Sequence, residues 1–424
     1  MAVRSILYGQ RRLSDYAGVA EPSALAAMRQ SAHTISGLRV LHLSAGRFGG
    51  RVAETLSTLV LLQRDIGILA DWKFVSLETM PIWAEFHRSL AGLSSHWTLK
   101  DSVHWYSSAE HLAPAIGASD YDIVVIHDPE LLALATIVQD GRNSPEFVWH
   151  CHFDSRDAEP DAWAAVRFAL SRFKAVLFPS VDLSRYDVPV EYVGIARPGL
   201  DSRSPTNLPI EPSLVAGVAQ RFGIDPGRPT IGLFAPIDER YAPLEALEVY
   251  RLVRRRNPEV QVLLAEPSVA APTESSLDVK RIGEAALDDP DIHLLSRHEA
   301  IGSIELNALQ RQVSVALQLA GAYGQHWGVA ECQLKGKPAV VGRGCHLPWT
   351  VAHGVDGFVA DNTADAAELI SRLLCEPELA RSMGDRARER ATGGSIVSGL
   401  LPDYIRAFRT LTGSGTGSGQ GSRR

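Results

Sequence analysis

The sequence predicts an α/β protein of two Rossmann-like, doubly wound parallel-sheet domains facing a cleft. Three observations predict it. Short, nearly all-apolar runs such as residues 121–127 (YDIVVIH) and 229–234 (PTIGLF) have the pattern of strands buried on both faces of a parallel sheet. These runs alternate with amphipathic helical stretches in two successive series, as doubly wound folds require. Between the series lies 202–212 (SRSPTNLPIEP), rich in Ser, Pro and polar residues and therefore a linker. The expected layout is a helical lead-in at 1–36, a first domain at 37–205 and a second at 206–399. A helix at 400–412 is expected to pack back on the first domain, ahead of a flexible low-complexity tail at 413–424.

In chain order, the lead-in is open to two roles, a packing arm or an element of homodimer assembly. Residues 39–44 (RVLHLS) predict the first strand. A glycine-rich turn follows at 45–51, then a helix at 52–63. Strand, glycine turn and helix N-terminus together present unpaired N–H groups, a place for an anion. Residues 72–76 predict the next strand, and Trp83, Phe86 and His87 follow at helical spacing. Strands at 121–127 and 147–149 end in the polar clusters His127-Asp128-Pro129 and His150-Cys151-His152-Phe153-Asp154. Polar groups at the C-terminal ends of neighbouring buried strands converge on one site. The spacing of His127, His150, His152 and Asp154 matches no standard metal-ligand set, so no metal is assigned. A strand at 175–180 completes the first series.

The second series has strands at 229–234, 260–265, 292–295 and 313–319 and an amphipathic helix at 244–255. Residues 320–356 then read as strand end, loop, helix (329–335, with Glu331 in its first turn), strand (339–341) and loop (342–348). Gly324 and Gly328 there permit unusual backbone angles or close approach. A loop following such a strand is where ligands bind in open α/β sheets. The charged helical run at 380–390 is expected to be exposed.

Composition narrows the function classes. The 424 residues are 45% apolar and 21% charged, with a formal net charge of −7. The isoelectric point is near 6.1. No broad basic field exists, which argues against nucleic acid as a partner. No apolar run of about 18 residues predicts a membrane span, and the N-terminus lacks the apolar core of a signal peptide. The 4 cysteines form no CxxC pair, which suits a reducing cytoplasm.

Several of these motifs, taken together, resemble retaining family 4 glycosyltransferases of the GT-B fold, most nearly the trehalose synthases. The resemblance runs over residues 4–411. It rests on Gly49 and Gly50, Phe86-His87, the HDP and CHID-like clusters, residues 304–311 (IELNALQR), Glu331, the Lys335-Gly336-Lys337-Pro338 turn and residues 354–358 (GVDGF). It implies a pocket containing Asp128, His152 and Asp154, with His152 nearest the reacting centre. It implies that Glu331 bonds the ribose hydroxyls of a nucleoside and that Asn307 lies beside the base. It also implies that the turn with Gly49, Gly50 and Arg51 approaches phosphates and acceptor.

Departures from the family pattern gather in the sugar-diphosphate half. Tyr323 stands where the family has a donor-binding glutamate. Pro236 and Tyr241 stand where it has the Arg and Lys that hold the diphosphate, with Arg240 adjacent as a substitute. Arg47, Arg51 and Arg343 are further sources of positive charge. His326 and His346 are additional histidines, each able to act as an acid or base near neutral pH or simply to fill space. The expected activity is retaining transfer from a nucleoside diphosphate sugar to a small polar acceptor, with altered donor or acceptor specificity and no cofactor. A pseudo-glycosyltransferase forming a non-glycosidic bond, or a non-catalytic nucleotide-binding homologue, stays open beside it.

Overall fold

The computed structural model describes residues 2–5, 9–45, 51–77, 81–92, 96–138, 144–237, 241–267, 277–296, 301–320, 327–345 and 351–413. The chain divides into two compact units, Met1–Gly199 with Ile396–Arg424, and Leu200–Ser395.

In the first unit the elements run β1 (Ala2–Ser5), α1 (Pro22–Ala32), β2 (Arg39–Ala45), α2 (Arg51–Asp65), β3 (Leu69–Ser76), α3 (Pro81–Leu90) and α4 (Leu99–Ile116). They continue with β4 (Ile123–Ile126), α5 (Leu134–Ile137), β5 (Glu146–His150), α6 (Pro160–Leu170), β6 (Ala175–Phe178) and β7 (Tyr192–Ile195). The sheet order is β1-β3-β2-β4-β5-β6-β7. All neighbours are parallel except β1 and β3, which pair antiparallel through Ala2↔Ser76 to Ser5↔Lys73. Residues 2–5 are therefore a strand within a lead-in expected to be helical. They pair along the free edge of β3, a position helical periodicity does not reveal.

Chain order gives this sheet its site. From β2 the chain steps to β3 on one side and then to β4 on the other. The strand order reverses between β2 and β4, and ligands bind in the crevice at such a switch point. The strands at the centre are short and buried on both faces: every residue of β4 (IVVI) and β6 (AVLF) is buried.

The second unit carries α7 (Pro212–Arg221), β8 (Thr230–Phe234), α8 (Pro243–Arg254), β9 (Gln261–Ala265), α9 (Leu277–Asp288), β10 (Ile292–Leu295) and α10 (Ser303–Gln312). Then follow β11 (Val315–Gln318), α11 (Trp327–Leu334), β12 (Ala339–Gly342), β13 (Gly357–Ala360), α12 (Thr363–Cys375) and α13 (Pro377–Gly393). Its sheet, β10-β9-β8-β11-β12-β13, is parallel throughout, and its switch point lies between β8 and β11. A parallel bridge between Leu200 and Ser395 ties the start of this unit to its end. The run expected to be exposed lies on α13, which buries Met383, Gly384, Ala387 and Ala391 on one face and exposes the other.

The chain then returns to the first unit as α14 (Leu401–Leu411). Leu401, Tyr404, Ile405 and Phe408, at helical spacing, are all buried in the core beside α1 and α2. Asp403 accepts hydrogen bonds from the Arg197 backbone (3.1 Å) and guanidinium (2.9 and 3.0 Å), fixing this helix against the last strand of the sheet. No helix among the described residues is long and apolar enough to cross a membrane.

Candidate active site

At the switch point of the first unit, the Asp128 carboxylate accepts a 2.7 Å hydrogen bond from the backbone N–H of Ala45. Ala45 ends β2, and Asp128 follows β4, so this one bond closes the crevice from both sides. It also fixes the start of the glycine turn. Residues 46–50, with Arg47, Gly49 and Gly50, lie outside the described residues, as does the side chain of Arg51.

Burial pushes the Asp128 carboxyl up to about 7, helped by the charge of Glu130 and opposed by the Ala45 N–H and by His87. Glu130 is moved the other way. Its burial disfavours charge, but the charge and hydrogen bond of His87 outweigh that and hold it below the usual carboxylate value. The His87 Nε2 to Glu130 Oε1 distance is 2.6 Å. Phe86, one residue earlier, is fully buried between Trp97 and Trp105, with ring centroids at 4.5 and 4.9 Å. The aromatic residue of this pair is core, and the histidine is the one that acts on the site.

Beside Asp128 runs a connected set of imidazoles, with His42, His127 and His150 buried and His152 half-buried. Gln63 Oε1 lies 2.8 Å from His42 Nε2, His42 Nδ1 lies 2.9 Å from His127 Nε2, and His127 Nδ1 lies 2.9 Å from His152 Nε2. The His150 ring lies 3.9 Å from that of His152, and its Nδ1 is 2.7 Å from the Tyr404 hydroxyl. Burial lowers all four histidines: His42 to about 4, His152 to about 3, and His127 and His150 well below the ordinary value. At neutral pH the set is uncharged. Asp154 turns away from it, bonded instead to Arg156 through Nε (2.9 Å), Nη2 (2.7 Å) and the backbone N–H (3.0 Å).

In the second unit Gly328 opens α11 against the end of β8. A Cβ there would lie 2.2 Å from the Phe234 carbonyl oxygen, so only glycine permits this approach. The next turn of the helix carries Glu331, 1% exposed, which accepts a 2.6 Å hydrogen bond from Gln310 Nε2. Lys335 Nζ donates to Asn207 Oδ1 at 2.7 Å, and Gly336 ends the helix at φ +76°. Asn307 is fully buried. Its amide donates to the carbonyls of Pro205 (3.0 Å) and Leu208 (2.8 Å), and its Oδ1 accepts from Arg311, so it holds residues 205–208 in place.

Across the switch point, Gln318 Nε2 donates to the Tyr241 carbonyl at 3.3 Å and to Ala320 at 2.6 Å. The Tyr241 side chain packs against the core on α8. Arg343 is exposed and paired with Asp361. Within residues 354–358, Asp356 is buried, bonded to the Ala352 N–H (2.7 Å) and to Arg390, and so shapes the turn into β13. Arg240, Tyr323, His326 and His346 lie outside the described residues.

The structure thus gathers Asp128 and His152 in one unit and places Glu331 in the other. Sequence reasoning missed His42, Gln63, Glu130 and Tyr404, and took Gln310 only as part of the 304–311 segment. A histidine inside an otherwise apolar strand (RVLHLS) was the one available signal.

Residues 42–184 match the family model described as "Trehalose synthase, N-terminal domain". That range spans every member of the histidine set except Tyr404, together with Asp128 and Asp154. The trehalose synthase of Rubrobacter xylanophilus is 29% identical over 411 residues, covering 96% of this chain and 98% of that protein. Among solved structures, the alpha,alpha-trehalose 6-phosphate synthase of Burkholderia multivorans aligns with a TM-score of 0.64 at 13% identity, over 90% of this chain and all of that one. Anabaena HepE in complex with UDP-glucose aligns with a TM-score of 0.62 at 15% identity, covering 89% of this chain and 100% of that one. These structures are GT-B glycosyltransferases, and the fold described above is theirs.

Proposed function

We propose that this chain, a glycosyltransferase-like homologue of the trehalose synthases, transfers a glycosyl group with retention from a nucleoside diphosphate sugar to a small polar acceptor. The observation that carries the reading is that Asp128 and His152 follow the neighbouring parallel strands β4 and β5 at one end of the first sheet, with His127, next to Asp128 in the chain, 2.9 Å from the neutral His152 imidazole. Relatives named trehalose synthase and a neighbour solved with UDP-glucose support the donor class.

The chemistry follows from the charges. When the bond between the sugar's anomeric carbon and the diphosphate oxygen breaks, positive charge grows on the sugar and negative charge on the leaving group. An imidazolium beside the sugar would oppose this. Burial keeps His152 neutral, so it can hold an acceptor or sugar hydroxyl by hydrogen bonding without that penalty. Asp128, part ionised at neutral pH, offers negative charge to the developing cation. The acceptor oxygen forms its bond to the anomeric carbon on the face the diphosphate leaves. Its proton passes to the departing phosphate oxygen, and no side chain acts as nucleophile. Glu331, oriented by Gln310, receives the nucleoside hydroxyls.

The specificity of the donor half is proposed to be altered. Pro236 and Tyr241 stand where the family's phosphate cations are expected, and Arg343 is already committed to Asp361. The same residues favour a second reading, a nucleotide-binding homologue without transferase activity.

The test is steady-state transfer with His152→Ala. The variant is expected to lower kcat by about 100-fold or more, the scale of one polar group acting in the transition state. The donor KM is expected to stay within about threefold. Unchanged kcat removes His152 from the reaction. Absence of transfer by the wild type across nucleotide-sugars favours the second reading.

A further inference from the structure

We propose that His127, His150 and His152 form a binding site for a divalent transition metal, with Zn2+ the ion best suited to it. One ring nitrogen of each histidine lies within 4.8 Å of those of the other two. The spacing of these residues matches no standard ligand set, because they come from the ends of two neighbouring strands, β4 and β5, rather than from one spaced motif.

The hydrogen bonds show which nitrogens face the shared point. Gln63 Oε1 accepts from His42 Nε2, so His42 Nδ1 carries a lone pair. His127 Nε2 then donates to it, which leaves the lone pair of His127 on Nδ1. That atom faces His152 Nε2 at 2.9 Å. Two nitrogens so close need a proton or a cation between them. Metal–nitrogen bonds of about 2.0–2.1 Å to both would enclose an angle near 90°, so the two nitrogens must part to about 3.4 Å to reach the tetrahedral angle of Zn2+.

The third nitrogen is His150 Nε2. It is buried without a partner in hydrogen-bonding geometry, although the Ala196 carbonyl is near enough to favour the protonated ring. His150 Nδ1 is meanwhile held by the Tyr404 hydroxyl. A buried nitrogen whose one carbonyl neighbour lies outside good hydrogen-bonding geometry is poorly satisfied, and a metal ion would satisfy it better. The outer partners match those that orient metal-ligating histidines: His42 and Gln63 behind His127, and Tyr404 behind His150. Burial keeps the three rings neutral, which is the form that binds metal. Three imidazoles with an open fourth position suit Zn2+.

The site does not rest on the transfer reaction, but it bears on it. A metal held by His152 ties down the ring that the proposed transfer uses, so metal occupancy is expected to slow transfer.

The test uses full-length protein, stripped with EDTA and exchanged into chelator-free buffer. Co2+ serves as the spectroscopic probe, with Zn2+ titrated by calorimetry. One Co2+ per chain is expected, with visible absorption of a nitrogen-ligated complex displaced by Zn2+. His150→Phe is expected to weaken binding at least tenfold, with His150→Gln as a second variant if Phe disturbs folding. His111→Ala should leave binding intact, because that exposed imidazole lies on α4, bonded to the Ser107 carbonyl. Absence of stoichiometric binding, or binding that both His150 variants leave unchanged, overturns the site. Binding that leaves transfer unaffected keeps the site and contradicts the role given to His152.

Discussion

At the residue scale the unusual feature is a set of histidines enclosed without charge. His42 shows the consequence for stability. Its neighbours are Gln63, His127 and Tyr404, none of which supplies a negative charge. Its pKa falls from 6.5 to about 4 on folding. A group lowered in this way contributes stability that is complete above pH 6.5 and lost as pH falls towards 4. At 1.36 kcal/mol per unit this is about 3 kcal/mol for His42 alone. His127, His150 and His152 act in the same direction. Asp128, raised to about 7, acts in the opposite one: its cost is present above pH 7 and is relieved as pH falls towards 4. Four histidines against one carboxyl leave a net loss on acidification. The melting temperature is expected to drop between pH 6.5 and 4.5, and His42→Gln is expected to flatten that drop. An identical slope in variant and wild type would mean that His42 is not held neutral. Little of this was legible in sequence, because Tyr404 reaches His150 from 254 residues away and the Gln63 contact depends on how α2 lies on β2.

At the element scale, Asp128 follows β4 at the reversal of strand order in the first sheet, His152 follows β5 one strand further on, and Glu331 follows β11 at the reversal in the second. This was the most legible part of the site. Apolar strands ending in polar clusters announce where a parallel sheet binds ligands; that rule pointed to the strand ends carrying Asp128 and His152, whereas Glu331, on a helix, was singled out by the family resemblance alone. The local route of the backbone was less legible. Ala242, at the start of α8, has φ +51°, the only positive value at a non-glycine among the described residues. Pro243 disfavours right-handed helical angles at the residue before it, and Gln318 holds the carbonyl of Tyr241. An alanine in the left-handed region costs about 1–2 kcal/mol. Ala242→Gly removes that cost and adds back part of it as chain entropy, a net gain of about 0.5–1 kcal/mol. A rise of a few degrees in melting temperature is expected, and a fall would show that the angle is not strained. The signature at 354–358 shows another limit of motif reading. In the structure Asp356 serves the turn into β13 and its contact with Arg390.

At the scale of the whole molecule, the chain divides its chemistry. The first unit holds the histidines and Asp128; the second holds Glu331. The alternating βα pattern made both sheets legible. It did not reveal β1, a four-residue strand on a free edge, nor that α14 supplies Tyr404 to the histidine set. The central claim, as proposed above, is that the chain takes a nucleotide-activated sugar as donor. The most direct measurement is a calorimetric panel of UDP, GDP and ADP, their glucose conjugates and the free nucleosides, run on wild type and Glu331→Ala. One nucleoside diphosphate is expected to bind more tightly than its nucleoside, with a further gain from the sugar conjugate. Glu331→Ala is expected to weaken all three by about 10–100-fold, the scale of one or two hydrogen bonds to a charged group. Nucleosides that bind as tightly as their diphosphates, with no gain from the sugar, would contradict the account.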